Sequence, residues 1–579
     1  MKKIKSYILV AMMGLTVSSC EDFLTLMPLN EVVLENYWTE QADVESVLKG
    51  AYAALESSDC LLRMAAWGEF RSDNILSGTD NTGSSDDLKK FINESINENN
   101  ELTTYLCFYK TINYANTVLH FAPQVHKKDP NYRGSQLKAH EAEAIAIRSL
   151  CYWYMIRAFK DVPYVTVPSI DDTRDFFIGQ TSFDEILDSL IYDLNSIKDY
   201  ALIHYSTDLS NVKNSSRFTR AAIYGMLADM YLWKGDWDKC LDCCHYVDSI
   251  KRMEYDALNQ EYGKSSNISL YGDGKKYPLI NGADDENTCG RAYNEIFGNG
   301  NSFESLFELP FGSDRSNSFV STYYYNTTNN TIGRVKANST YCKAESSAPL
   351  FKTESDTRFH EDILKSGSSS NYAIMKYSYQ KMDYKLKGGT LTATGSNNSG
   401  RPGSVRQQNG ASPNWVVYRY TEILLIEAEA LVMKAKTSGY ATPADSTNGL
   451  NEAFNIVKAI YDRAICAETY TNVTSLAVGS NWTVDDYEDL VFTERRREFL
   501  FEGKRWFDLV RLAMREGDSK KVFTAVSPKY EGNTKSIEIK FTNPYGLFLP
   551  INKEEIKIND KLKQNPAYQR TDEVIKKSK

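Results

Sequence analysis

Apolar residues recur with the 3.6-residue period of an amphipathic helix from Asp43 to Leu55. The same period returns over Leu102–Phe121, His140–Phe159, Phe183–Ile197 and Arg220–Arg252, and again over Tyr418–Ala435, Leu450–Ala464 and Val484–Ala513. Polar, Gly- and Ser-rich sequence from Ser77 to Asp87 predicts an exposed loop. From about Tyr255 to Pro413 Gly, Asn, Ser and Tyr dominate, and no long apolar period survives. A stretch of this kind inside a compact protein is usually a functional elaboration rather than a linker. The pattern predicts a mostly α protein with a helical scaffold over about 40–255 and 414–515. An irregular, loop-rich insertion fills 256–413, and an irregular, Pro-punctuated segment closes the chain over 516–579.

One helix pair carries a recognisable unit. Tyr224, Leu227, Ala228 and Tyr231 follow the aromatic, leucine, small, aromatic spacing of a tetratricopeptide repeat, and Gly235 supplies the turn. Cys240 stands where the second helix needs a small residue to approach the first. Leu102–Phe159 and Tyr418–Ala464 read as degenerate copies, so stacked helix pairs are expected, with the loops built onto one side.

Composition narrows the chemistry. The formal net charge is −9 and no basic stripe is present, which argues against nucleic acid as a partner. Tyrosine is abundant, at 38 residues, and its flat ring with a hydrogen-bonding tip suits sugar- and protein-binding surfaces, although most of these rings belong to the core. Cys240, Cys243 and Cys244 lie at helical spacing in DWDKCLDCCHYV, which assigns them to helix packing; no second ligand pair lies nearby to make a metal site. The six histidines are scattered without ligand spacing. Asp273, Asp284, Asp285 and Glu286 form a loose oxygen-rich cluster of the kind that holds Ca²⁺ or lies solvated in a loop, and no metal or cofactor is assigned.

Residues 1–19 have the parts of an export signal. Lys2, Lys3 and Lys5 precede an apolar stretch, Tyr7–Val17, that is too short to span a bilayer stably. Val17, Ser18 and Ser19 then lead to Cys20, which resembles the bacterial lipobox and makes Cys20 the expected site of lipidation by palmitate or a similar acyl chain. The mature chain, 20–579, is expected to form one domain tethered outside the cytoplasm.

The segment ERRREFLFEGKRWFDLVR, from Glu494 to Arg511, reads as one helix with acid-to-arginine pairs at i,i+3: Glu494–Arg497, Glu502–Arg505 and Asp508–Arg511. Gly503 in mid-helix would cost about 1 kcal/mol against alanine, and close backbone packing is the expected compensation. Glu498 and Glu502 are four apart, as an acid/base pair might be drawn, but each has arginines within reach and the structural reading is preferred. The same segment resembles the C-terminal hallmark of the SusD/RagB family of outer-membrane nutrient-binding lipoproteins. Four further stretches agree in that family's order: TINYANTVL at 111–119, AEAIAIR at 142–148 with DVPY at 161–164, RYTEILLIEAEA at 419–430, and LPI at 549–551 with QNPAY at 564–568. Asn552 and Ala567 depart from the family's Pro and Gly, which touches only local turn geometry.

The resemblance implies a SusD-like fold whose tetratricopeptide-like pairs face a TonB-dependent transporter of the SusC type. It implies a binding protein rather than an enzyme, anchored by lipid at the cell surface of the outer membrane, that captures an oligosaccharide and delivers it to the pore. A peptide ligand, or a repeat scaffold that binds only proteins, are the alternatives. Carbohydrate binding needs aromatic faces and planar polar groups. Two regions offer both: Trp67, Arg71, Asp73 and Asn74 after the first helix, and Tyr323, Tyr324 and Tyr325 in the insertion. These are the expected ligand residues.

Overall fold

A computed structural model describes residues 37–569, except 79–85, 171–176, 263–266, 284–288, 313, 327–330, 340–349, 352–354, 366–370, 388–389, 394–402, 407–411, 466–475, 531 and 533. Cys20 and the leader lie outside the described residues, as do Asp284, Asp285 and Glu286.

The scaffold is a run of packed helices: α1 (Gln41–Leu55), α2 (Ser58–Ala65), α3 (Leu106–Lys128), α4 (Gly134–Phe159), α5 (Phe183–Ile197), α6 (Arg220–Lys234), α7 (Trp237–Tyr262), α8 (Tyr420–Lys436), α9 (Pro443–Ala464), α10 (Val484–Glu498) and α11 (Arg505–Glu516). Successive members pack as neighbours, α1 on α3, α3 on α4, α4 on α5, α5 on α6, α6 on α7, α7 on α8, and α8 on both α9 and α10. α5 buries one stripe, whereas α6 and α8 are buried on every side over most of their length, and the buried side chains join into one core.

Local chemistry fixes the ends. Ser182 and Glu185 close a capping box at the start of α5, and Thr483 and Asp486 do the same for α10. Gly235 ends α6 at φ +77, with the Asp236 N–H donating to the Tyr231 carbonyl at 3.1 Å, so the chain reverses directly into α7. Across that hairpin Tyr224 stacks on Tyr246 with ring centroids 3.9 Å apart, and Cys240, Cys243 and Cys244 are buried.

The insertion contains short strands, which its lack of period concealed. β1 (Ile75–Ser77), β3 (Val335–Ala337), β4 (Ile363–Lys365) and β5 (Tyr372–Ile374) form an antiparallel sheet in the order β1-β3-β5-β4. β2 (Ser305–Leu309) pairs antiparallel with β6 (Trp415–Arg419), which leads straight into α8. The closing segment is also more ordered than its composition suggests, with short helices at Lys520–Val526, Thr534–Thr542 and Lys553–Ile558.

The largest correction concerns 494–511, which is two helices. The chain leaves α10 at Phe499, passes through Phe501 at φ +64 and Gly503 at φ +74, and enters α11 at Arg505. Gly503 therefore occupies a left-handed position that favours glycine, and does not interrupt a helix. The break repoints the charges. Glu494–Arg497 and Asp508–Arg511 pair as expected, each at 2.9 Å, but Glu502 and Arg505 part. Arg505 grips Asp73 through two bonds at 2.9 and 3.0 Å, and Glu502 takes Arg419 and Lys376.

Candidate ligand site

The break is where the two ends of the chain meet. A single wide turn, Ala66–Phe70, crosses it so closely that a Cβ on Gly68 would stand 1.7 Å from the Gly503 carbonyl oxygen. Glu69 accepts the Gly503 and Lys504 N–H groups at 3.2 and 3.3 Å and the Asn74 amide at 2.8 Å. Burial outweighs these bonds and pushes its carboxyl up to about 7.

The residues expected to hold a ligand belong to this crossing. Trp67 is 1% exposed, donates its indole N–H to the Leu102 carbonyl at 2.8 Å, and packs its ring on Phe108 and Phe159. Arg71 is equally buried. It binds Glu94 at 2.6 and 2.9 Å, donates to the Leu547 and Gly546 carbonyls, and lies 4.1 Å over the Trp506 ring. Asp73 sits between Arg505 and Arg496, and Asn74 accepts from Arg496 at 2.8 Å. Burial raises the Asp73 carboxyl, but the two guanidiniums outweigh it and hold it down to about 2. In the insertion Tyr324 and Tyr325 are buried, and Tyr324 donates to the Phe501 carbonyl at 2.8 Å. Tyr323 is half-buried, stacked on Phe319 and covered by Arg334. Trp67, Arg71, Asp73, Asn74, Tyr324 and Tyr325 are therefore corrected to fold residues. Their rings and polar groups are committed to protein partners, and none is free to meet a sugar.

Glu498 and Glu502 are likewise spoken for. Glu498 takes Arg358, Arg419 and Arg463, and those charges overcome burial to hold it well below the usual carboxylate range. Against burial, Arg419 and Lys376 likewise hold Glu502 below the usual carboxylate range, so both carboxylates are kept ionised as partners of buried cations. Asp273 is exposed and lies 3.8 Å from Lys458. No group of three or more metal-ligating side chains is gathered among the described residues.

A recess opens directly above the buried crossing. It has a volume of about 700 Å³, large enough for several sugar rings, and lies between β1 and β3 on one side and Lys529, Tyr530, Ser536 and Ile537 on the other. Ser77, Glu94, Lys336, Lys529, Tyr530 and Ser536 supply polar groups to its wall. Lys529 is buried and donates to the carbonyls of Phe70, Arg71 and Ser72, which ties the recess to the crossing. Burial lowers its amine to about 7. Glu94 is held at φ +59, a conformation costly for a residue with a Cβ, by Arg71 and by Lys540 at 3.0 Å. The Ser77 and Tyr530 hydroxyls are buried without a hydrogen-bond partner. A second groove, about 350 Å³, is more apolar and is rimmed by exposed Leu106, Val167, Phe177 and Ile558.

The geometry is that of a helical scaffold with a polar recess in its wall. The family model described as the SusD family matches residues 284–568, and the one described as starch-binding, associating with the outer membrane, matches 22–232. Together they take in most of the chain, which belongs to the SusD family, a family of binding proteins rather than enzymes. Two SusD-like proteins of Formosa agariphila are similar along nearly their whole length. P38 is 22% identical, over 88% of this chain and 92% of its own, and P25 is 23% identical over 98% and 99%. Among solved structures, a SusD superfamily protein of Bacteroides vulgatus superposes with a TM-score of 0.64 at 15% identity, covering 92% of this chain and all of its own. A laminarin-binding SusD-like protein gives 0.61 at 19%, over 92% of this chain and all of its own. Surface glycan-binding protein A of Bacteroides uniformis gives 0.60 at 21%, over 91% and all of its own.

Proposed function

We propose that this protein is a lipoprotein, anchored through Cys20 at the outer face of the outer membrane, that captures an oligosaccharide in the recess above the Gly68–Gly503 crossing and passes it to a TonB-dependent transporter of the SusC type. The observation that carries the reading is the recess itself, polar, about 700 Å³, and lined by Asn93, Glu94, Ser95, Lys336, Lys529 and Ser536. Sugars present dense arrays of hydroxyl donors and acceptors, which suit a wall of amide, hydroxyl, carboxylate and amine side chains. The glycan-binding relatives and the leader ending at Cys20 support the same reading.

A glycan array followed by calorimetry tests it. Binding in the micromolar-to-millimolar range is expected, and Asn93→Ala and Lys336→Gln, both on the recess wall, should weaken it while leaving the unfolding midpoint unchanged. Binding that ignores both substitutions would move the site elsewhere. Co-purification with a barrel protein after mild detergent extraction tests the transporter partner.

A further inference from the structure

α7 is the last long helix before the insertion and α8 the first after it, and the two pack against each other. Asp248 on α7 and Glu427 on α8 meet in that seam, their carboxyls within hydrogen-bonding reach. Glu427 is 1% exposed, and Asp248 is half-buried as a residue with its Oδ1 closed off from water. Asp248 Oδ1 and Glu427 Oε2 each lack a hydrogen-bond donor. Leaving two carboxylate oxygens buried in this way is costly, and bringing two negative charges together adds to the cost. A single proton removes both penalties, because a protonated carboxyl becomes a donor to an ionised one.

The groups that face the pair come from four elements. α7 brings Cys244, which is buried, and His245, whose imidazole is 59% exposed and stands 3.3 Å from Glu427 Oε1. Tyr420, the first residue of α8, is hydrogen-bonded to Asp248. Tyr277 opens the short strand Tyr277–Ile280 and donates its hydroxyl to Glu452 of α9, and Lys276 beside it pairs with the same carboxylate. Lys276 is therefore committed elsewhere, and no arginine holds the pair in the way that Arg358, Arg419 and Arg463 hold Glu498. Burial, reinforced by the Glu427 charge, pushes the Asp248 carboxyl well above its ordinary range, and burial pushes Glu427 up to about 7. Carboxyls coupled this closely lose their protons in two separate steps.

We propose that Asp248 and Glu427 share one proton, and that this proton is a latch between α7 and α8, closed at neutral and acidic pH and released under alkaline conditions. Without it two like charges face each other across the seam that joins the helices before the insertion to those after it.

The test follows the full-length protein, Glu427→Gln and Asp248→Asn across pH. An amide at either position keeps the shape and the hydrogen bond but cannot titrate. A proton held by the folded chain and released on unfolding stabilises most at low pH, and the contribution is lost as pH rises through the folded value. For Glu427 that window runs from its ordinary 4.5 to about 7. The folding equilibrium constant of wild type relative to Glu427→Gln, from urea unfolding, should therefore fall about tenfold per pH unit between about pH 5 and 7. Above about pH 8, amide exchange in α7 and α8, corrected for its intrinsic pH dependence, should be faster in wild type than in either variant. The infrared carbonyl band of protonated carboxyls at pH 7 should lose one group's intensity in Asp248→Asn, which reads the proton directly even if Glu427→Gln folds poorly. Parallel pH profiles for wild type and both variants, or a carboxyl band that neither substitution reduces, would overturn the proposal.

Discussion

Gly68→Ala adds one methyl group at the point where the two ends of the chain cross. The new Cβ would stand 1.7 Å from the Gly503 carbonyl oxygen and 2.5 Å from its carbon, where an ordinary contact needs about 3.4 Å or more. The two backbones must therefore separate by about 1.5 Å. Overpacking of this kind costs about 1–3 kcal/mol. The separation also stretches the bonds from the Gly503 and Lys504 N–H groups to Glu69, already 3.2 and 3.3 Å long, at about 1 kcal/mol each. A loss of about 3–5 kcal/mol follows. Gly134→Ala is the control, because it makes the same chemical change at the first residue of α4 with no atom within 4 Å. There the methyl should be neutral or stabilise by a few tenths of a kcal/mol, through helix propensity and a less flexible unfolded chain. Urea unfolding followed by tryptophan fluorescence compares the two midpoints at unchanged slope, and amide exchange over 499–504 should rise in Gly68→Ala alone. If both variants unfold within about 0.5 kcal/mol of the wild type, the close crossing is not a determinant of this fold and the reasoning fails.

Trp67→Ala should cost about 3–5 kcal/mol of stability yet leave glycan affinity unchanged in calorimetry, because the ring packs on Phe108 and Phe159 inside the core. Asp73→Asn tests the linkage of charge to folding. The folded carboxyl titrates at about 2 and the ordinary value is 3.8, so its stabilising charge is fully present above about pH 5 and lost as pH falls through 2. The gap between wild type and variant should be about 2 kcal/mol near neutrality and close by pH 2; a gap constant with pH would contradict it. Cys20→Ala should abolish labelling by radioactive palmitate and release the protein into the medium. Retained labelling would place the lipid on another residue.

α5 was legible because it buries one stripe, and a stripe leaves a period; it runs over the very residues its pattern predicts, Phe183–Ile197. α9 starts seven residues before its apolar run because Thr442 and Pro443 begin it with polar turns that no period reveals. The break at 499–504 was invisible for a different reason. The run FLFEGKRW keeps a helical rhythm, and what bends it is the backbone of Gly68 pressing from more than 400 residues away. Distance also explains the misplaced site. Trp67, Arg71 and Asp73 have the right chemistry for a sugar, but α11 and residues 546–547 pack over them. The recess draws on residues near 77, 94, 336 and 530, each ordinary in its own neighbourhood, so no local motif announces it.

The crossing also sets an order of events in time. Arg71 finds its carbonyl acceptors only at Gly546 and Leu547, and Asp73 its guanidiniums only at Arg496 and Arg505. Before those segments are synthesised, Asp73 has no guanidinium and Arg71 has only Glu94, and closing such long loops is slow. A clasp whose partners lie 432 and 476 residues apart closes only when nearly the whole chain is present, so truncation anywhere before it leaves the crossing open.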